Sequence, residues 1–222
     1  GNTISQSTMT GGGTSNYAVQ IVQGGGGPCS SNLITGSMLV NLSGPGVQIT
    51  GGSNSNTISY STITSNAAGY RALYISASSS NTIASDYIQG STAAYITAST
   101  GTTFGGSVFV ATSTTGDALY LGQGSVNLFL SSSTLFGGSQ GAGLRLDDYN
   151  SGLIRLSTNT FSGAQYGLSI ATQNSNAQIW ITSNTIIPTL SASVNTYGLY
   201  LNGLASGATI QDNAIVWRQS GS

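Results

Sequence analysis

The side chains able to carry a full charge are few: five carboxylates, four arginines and no histidine in 222 residues. The carboxylates are Asp86, Asp117, Asp147, Asp148 and Asp212; the chain has no glutamate and no lysine. Hydrolysis of a glycosidic bond by acid and base needs two carboxyl groups at a fixed separation across the bond. Only Asp147 and Asp148 are adjacent, and neighbours on a strand point to opposite faces, so no such pair assembles from the spacing. Arg145 and Asp147, two apart, share one outward face and read as an exposed ion pair. Without histidine or lysine, Ser/His nucleophilic schemes and imidazole metal sites are excluded. Cys29 is the lone cysteine, so it forms no internal disulfide and no multi-cysteine metal site, and it reads as a small loop or core residue. No cofactor, metal or catalytic residue is therefore expected.

The other candidate chemistry is aromatic. A recurring pair of apolar residues two apart appears as Val19/Ile21, Val47/Ile49, Leu73/Ile75, Ala94/Ile96, Leu119/Leu121, Leu144/Leu146, Leu168/Ile170 and Leu199/Leu201. That spacing is the period of a strand with one face buried, so the residue between each pair faces outward. Those residues are Gln20, Gln48, Tyr74, Tyr95, Tyr120, Arg145, Ser169 and Tyr200. Tyrosines in line offer area at low entropic cost together with a polar tip, which suits the apolar faces of sugars. Tyr74, Tyr95, Tyr120, Arg145 and Tyr200 are the candidate glycan-binding face; the plainer reading is that stacked rings pad one wall.

The elements that hold this row follow from a second phrase. Apolar anchors five apart recur as Ile4/Met9, Ile34/Leu39, Ile58/Ile63, Ile83/Ile88, Phe104/Phe109, Leu130/Leu135, Leu156/Phe161, Ile181/Ile186 and Ile210/Ile215. Successive starts lie 21 to 30 residues apart, and self-similarity at such a period marks a solenoid of about nine coils. Each coil reads as strand, corner, strand, loop, with like residues stacked at about 4.8 Å. Two residues before each second anchor stand Ser7, Ser37, Ser61, Asp86, Ser107, Ser133, Asn159, Asn184 and Asn213. Small side chains that bond neighbouring backbone suit a corner, and stacked amides can bond along an axis. Before each outward-row pair stands a small residue, from Ala18 and Gly46 to Gly167 and Gly198, where a bend leaves little room. The three- and four-residue spacing of a helix is absent.

The phrases Ser55-Asn56-Thr57-Ile58, Ser80-Asn81-Thr82-Ile83 and Tyr197-Gly198-Leu199-Tyr200-Leu201 resemble the repeats of right-handed parallel β-helix proteins of the pectin-lyase-like superfamily, especially periplasmic copper-protein-associated and surface-protein repeats. The resemblance spans nearly the whole chain and implies an all-β, right-handed, single-stranded parallel β-helix, the hand that parallel crossovers take generally. It is shared by lyases, glycosidases, tailspikes and adhesins, so it implies no particular chemistry.

Only 4% of residues are charged and the net charge is −1, against roughly 25% charged in ordinary soluble domains. No basic patch exists to neutralise phosphates, so nucleic acid and anionic membrane surfaces are not expected partners, and no apolar run is long enough to span a membrane. Asn41-Leu42-Ser43 matches a glycosylation acceptor, as chance allows in a chain this rich in Asn and Ser. Outward threonines at Thr57, Thr82 and Thr103 and at Thr134, Thr160 and Thr185 are interrupted by Phe129, Arg155, Trp180, Tyr87 and others; ice binding by flat threonine columns is not supported, and strand propensity accounts for them. Both ends read as repeat strands without caps. The expectation is one solenoid over residues 1–222, a segment of a longer extracellular or cell-surface protein, acting as a non-catalytic structural or adhesive rod. Its partners would be neighbouring repeats or further copies stacked end to end. A glycan-binding module is the second reading, and a polysaccharide lyase or glycoside hydrolase the third.

Overall fold

At the position preceding each member of the small polar column, the backbone turns into the left-handed region. Gln6, Gly36, Tyr60, Ser85, Gly106, Ser132, Thr158, Ser183 and Asp212 have φ between 48° and 61°. For a non-glycine residue this conformation costs on the order of 1 kcal/mol or more, so something must hold it. The column itself does so. The backbone N–H of Ser7 donates to Ser37 Oγ, Ser37 to Ser61 Oγ, Ser61 to Asp86 Oδ1 and Asp86 to Ser107 Oγ. Ser107 N–H donates to Ser133 Oγ, and the Asn159, Asn184 and Asn213 amide oxygens receive the next three, all nine members being joined at 2.6–3.2 Å. A strand followed by one left-handed residue and a laddered corner is thus repeated down the chain.

The computed structural model describes residues 1–25, 27–171, 173–189, 195–203 and 207–217. Every ladder in it is parallel, and the strands fall into three sheets of nine, nine and eight. The first sheet runs from Thr3–Ser5 to Ala208–Gln211, the second from Thr8–Gly11 to Ala214–Ile215, and the third from Val19–Val22 to Tyr197–Leu201. No helix occurs among the described residues. Two expectations are refined by this. The five-residue phrase does not lie along one wall, because the left-handed residue bends the chain between its anchors and sends them to different sheets; the coil has three walls. Among the described residues the coils number eight with all three strands and a partial ninth.

The stacking of like on like holds residue by residue. Ile34, Ile58, Ile83 and Phe104 are register partners in turn, as are Leu39, Ile63, Ile88 and Phe109 on the second sheet. These side chains are wholly or almost wholly buried and form one continuous core up the axis, each contributing roughly 1.5–3 kcal/mol by leaving water. Phe104 and Phe109 meet edge to face at 5.4 Å. The small-residue column is steric: a Cβ on Gly46 would lie 2.4 Å from the Ala72 carbonyl oxygen, and one on Gly167 2.4 Å from Ile186. A further ladder, not foreseen, runs through Asn2, Asn32, Asn56 and Asn81 at the corner entering the first sheet, each backbone N–H donating to the next amide oxygen at 2.9–3.0 Å.

Asn41 is fully buried. Its Nδ2 donates to the Asn16 and Pro45 carbonyls and its Oδ1 accepts from Ser43 and Gly44, so the acceptor motif there is a turn clasp. Cys29 is a free, exposed thiol in the loop ahead of the first-sheet strand Leu33–Thr35.

Candidate functional site

The outer face of the third sheet carries the tyrosine row as spaced. Gln20, Gln48, Tyr74, Tyr95, Tyr120, Arg145, Ser169 and Tyr200 are register partners in succession. Tyr95 and Tyr120 stack at 4.9 Å with planes 18° apart, and Tyr74 joins Tyr95 at 5.6 Å. Offset stacks of this kind add about 0.5–1.5 kcal/mol beyond area burial. Gln20 Nε2 donates to Gln48 Oε1 at 2.6 Å, so the polar start of the row is self-satisfied.

Beside this row lies a second outward column, which the two-residue period does not reveal. It is formed by the residues just before the small column: Tyr17, Arg71, Thr92, Asp117, Tyr166 and Tyr197 among them. The small residue and the anchor after it both turn inward, as Ala72 and Leu73 do, so the residues flanking that buried pair, such as Arg71 and Tyr74, project from the same flank. Arg71 crosses to the first row, its guanidinium 4.0 Å from the Tyr95 centroid and 5.2 Å from Tyr74, a cation–π arrangement. Among the described residues Arg71 has no carboxylate partner. It borders an open cavity of about 320 Å³ with Thr14, Ser15, Tyr17, Tyr70 and Tyr74.

The Arg145–Asp147 ion pair expected from the sequence does not form. Arg145 pairs with Asp117 of the preceding coil, Nε to Oδ2 at 2.8 Å and Nη2 to Oδ1 at 3.2 Å, while Asp117 Oδ1 also accepts the Ala142 N–H. Asp147 lies one residue past the end of strand Ala142–Leu146, and each of the two has its partner in the preceding coil instead, Arg145 in Asp117 and Asp147 in Tyr120. Burial works against the Arg145 charge, but the hydrogen bonds and charge of Asp117 outweigh it and hold the guanidinium above its ordinary pKa. Asp147 instead receives the Tyr120 phenol, O–H to Oδ2 at 2.7 Å. Burial first, then the hydrogen bond to Asp147 and its negative charge, push the Tyr120 phenol above its ordinary pKa, which keeps it protonated at neutral pH.

Tyr200 stands apart from the first three tyrosines, separated by Arg145 and Ser169. It clusters with Tyr166 at 5.0 Å and Tyr197 at 5.5 Å, and Tyr166 stacks on Tyr197 at 5.7 Å. Arg145 lies 5.5 Å from the Tyr166 ring and so joins the two aromatic groups. Arg71, Asp117, Tyr166 and Tyr197 are the site residues that sequence reasoning missed, their signal being the recurrence of polar and aromatic residues three places before the outward row; Asp147 was read, but with Arg145 in place of Tyr120 as its partner.

The fold is a parallel β-helix of three sheets. Two solved structures are similar to it. The A-module of the mannuronan C-5 epimerase AlgE4 of Azotobacter vinelandii is 14% identical, with a TM-score of 0.49 over 89% of this chain. The A-module of AlgE6, another mannuronan C-5 epimerase of the same organism, is 10% identical, with a TM-score of 0.39 over 87% of this chain. The chain spans 64% and 66% of those modules. The likeness is one of fold. No family model matches the sequence, and no curated protein matches it. The expectation of a non-catalytic rod is corrected here: the similar coils are modules of enzymes, and epimerases of a polysaccharide. No helix among the described residues is long and apolar enough to cross a membrane, and none of them group three or more His, Cys, Asp or Glu side chains in a way that could hold a metal ion.

Proposed function

We propose that the chain is a polysaccharide-active enzyme that lays an acidic polymer along the outer face of the third sheet and acts by proton transfer at the Tyr120–Asp147 pair. The observation that carries this reading is the 2.7 Å hydrogen bond from Tyr120 to Asp147 at the head of a stacked tyrosine row. A protonated acid and a carboxylate within hydrogen-bond reach of each other are the two halves of general acid–base catalysis. Tyr74 and Tyr95, whose faces are taken up by one another, by Tyr120 and by Arg71, offer ring edges and phenol groups to a sugar, and Arg71, without a carboxylate partner among the described residues, offers a cation to an acidic sugar at the cavity.

Hydrolysis by two carboxylates is disfavoured, since Asp117 is committed to Arg145; elimination fits better. Asp147 would take a proton from a sugar carbon acidified by a neighbouring carboxyl group. The released electron pair forms a C=C bond, the glycosidic C–O bond breaks, and the leaving oxygen takes the Tyr120 proton. The existing hydrogen bond then returns the proton from Asp147 to the phenolate, whose raised basicity favours recapture. Arg145, fixed by Asp117, is a positioning residue for the pair. We take the place of action to be extracellular, where such polymers are met. The test separates binding from chemistry: Tyr95→Ala is expected to raise KM with kcat kept, and Tyr120→Phe to lower kcat with KM kept. Equal loss of both parameters in both variants would reject these roles.

A further inference from the structure

A second aromatic patch lies on another wall. In the first sheet, Phe129, Arg155 and Trp180 are consecutive register partners, pointing outward from strands Val126–Ser131, Ser151–Ser157 and Gln178–Thr182. Earlier coils carry Thr57, Thr82 and Thr103 at the same position, so the aromatic–arginine–aromatic run is confined to three coils. Trp180 is 40% exposed, and the Arg155 guanidinium lies 5.8 Å from its ring. Like Arg71, Arg155 has no carboxylate partner among the described residues. It borders a shallow cavity of about 190 Å³ with Phe129, Ser131 and Ser157. A row of hydroxyls, Ser131, Ser157 and Thr182, runs in register alongside.

We propose that this face is a second polysaccharide-binding site, separate from the third sheet, that grips an extended acidic strand running along the axis. Phe129 and Trp180 are two coils apart, about 9.6 Å at the spacing of stacked strands, which matches the advance of two linked pyranoses. Aromatic faces take the apolar sides of the rings, and the hydroxyl row serves their OH groups. Arg155 selects the charge: a guanidinium beside an aromatic ring is weakly hydrated and presents its donors to a carboxylate or sulfate. Such a site would hold a long polymer against the rod while the third sheet acts on it. The ligand class rests on the acidic-polymer reading above; the site itself does not depend on catalysis.

The experiment is retardation of the full chain in native gels containing polygalacturonate, with neutral hydroxyethylcellulose as the contrast, and sedimentation of the same samples. Trp180→Ala is expected to weaken binding to polygalacturonate about tenfold, the scale of one lost stacking contact, Arg155→Gln to lower its salt dependence, the part from Arg71 remaining, and Trp180→Phe to retain most of the affinity. Turnover of short oligosaccharides should be unchanged in all three. If the wild type is retarded and Trp180→Ala is retarded equally, this inference alone is overturned. If Trp180→Ala instead converts a dimer to a monomer, the face is a contact between copies and the inference is also overturned. If the wild type ignores every acidic polymer, the third-sheet reading falls with it.

Discussion

Asp86 is the one ionisable member of the nine-residue corner ladder, and replacing it by asparagine should stabilise the protein in a pH-dependent way. The carboxyl is 2% exposed. Oδ1 accepts the Ser61 N–H at 2.6 Å, while Oδ2 has no hydrogen-bond partner among the described residues and no cation touches it. Burial raises its pKa from 3.8 to about 7, against the opposing pull of backbone hydrogen bonds from Ser61 and Ala84. The folded state therefore holds a proton that the unfolded chain releases near pH 4. Stability from this group is fully present below about pH 4 and is lost as pH rises through about 7, a difference on the order of 4 kcal/mol at most. Asparagine keeps the acceptor and supplies a donor. Asn159, Asn184 and Asn213 already fill the equivalent place, their Nδ2 groups donating to the carbonyls of Leu130, Leu156 and Ile181. The assay is urea unfolding of wild type and Asp86→Asn at pH 4, 6 and 8. The variant should gain about 2–4 kcal/mol at pH 8 and almost nothing at pH 4, the difference between the two proteins isolating Asp86 from the other carboxylates. A gap that is flat with pH, or a variant less stable at pH 8, would refute the reasoning.

Other positions make separate demands. Gly46→Ala should cost about 1–3 kcal/mol, since the new Cβ would meet the Ala72 carbonyl oxygen at 2.4 Å; thermal unfolding reads this directly, and an unchanged midpoint would show that the bend can open. Phe161→Ala removes a fully buried ring and should cost about 3–5 kcal/mol by the same measurement. Asp117→Ala should leave Arg145 partly buried without its ion pair, destabilising the protein by several kcal/mol, whereas Asp147→Asn should leave stability nearly unchanged. If both behave alike in urea, the distinct roles assigned to the two carboxylates are wrong.

The anchors and their registers were legible because a residue alternation of two fixes which side chains enter the core, and each coil repeats it. Ile58 on Ile83 and Tyr95 on Tyr120 needed nothing more. The corner and its ladder were legible in the small polar column, but the third wall was not: the left-handed residues that sharpen the corner into a change of sheet are ones such as Tyr60 and Thr158, whose identities do not advertise that backbone. The site was half legible for the same reason. Tyr74, Tyr95 and Tyr120 lie inside strands, where alternation predicts direction. Asp117 and Asp147 lie outside the strands, and their partners Arg145 and Tyr120 are 28 and 27 residues away in sequence. Arg145 and Asp147 were close in number and wrongly paired; proximity in a solenoid runs between coils.

The most direct measurement is to incubate the wild-type chain with polygalacturonate and other acidic polysaccharides and follow the ultraviolet absorbance of new C=C bonds together with polymer length. The account predicts unsaturated chain ends released by the wild type and their loss in Tyr120→Phe and Asp147→Asn, both still folded. Polymers left intact by a folded wild type that binds them, or cleavage undiminished in both variants, would contradict it.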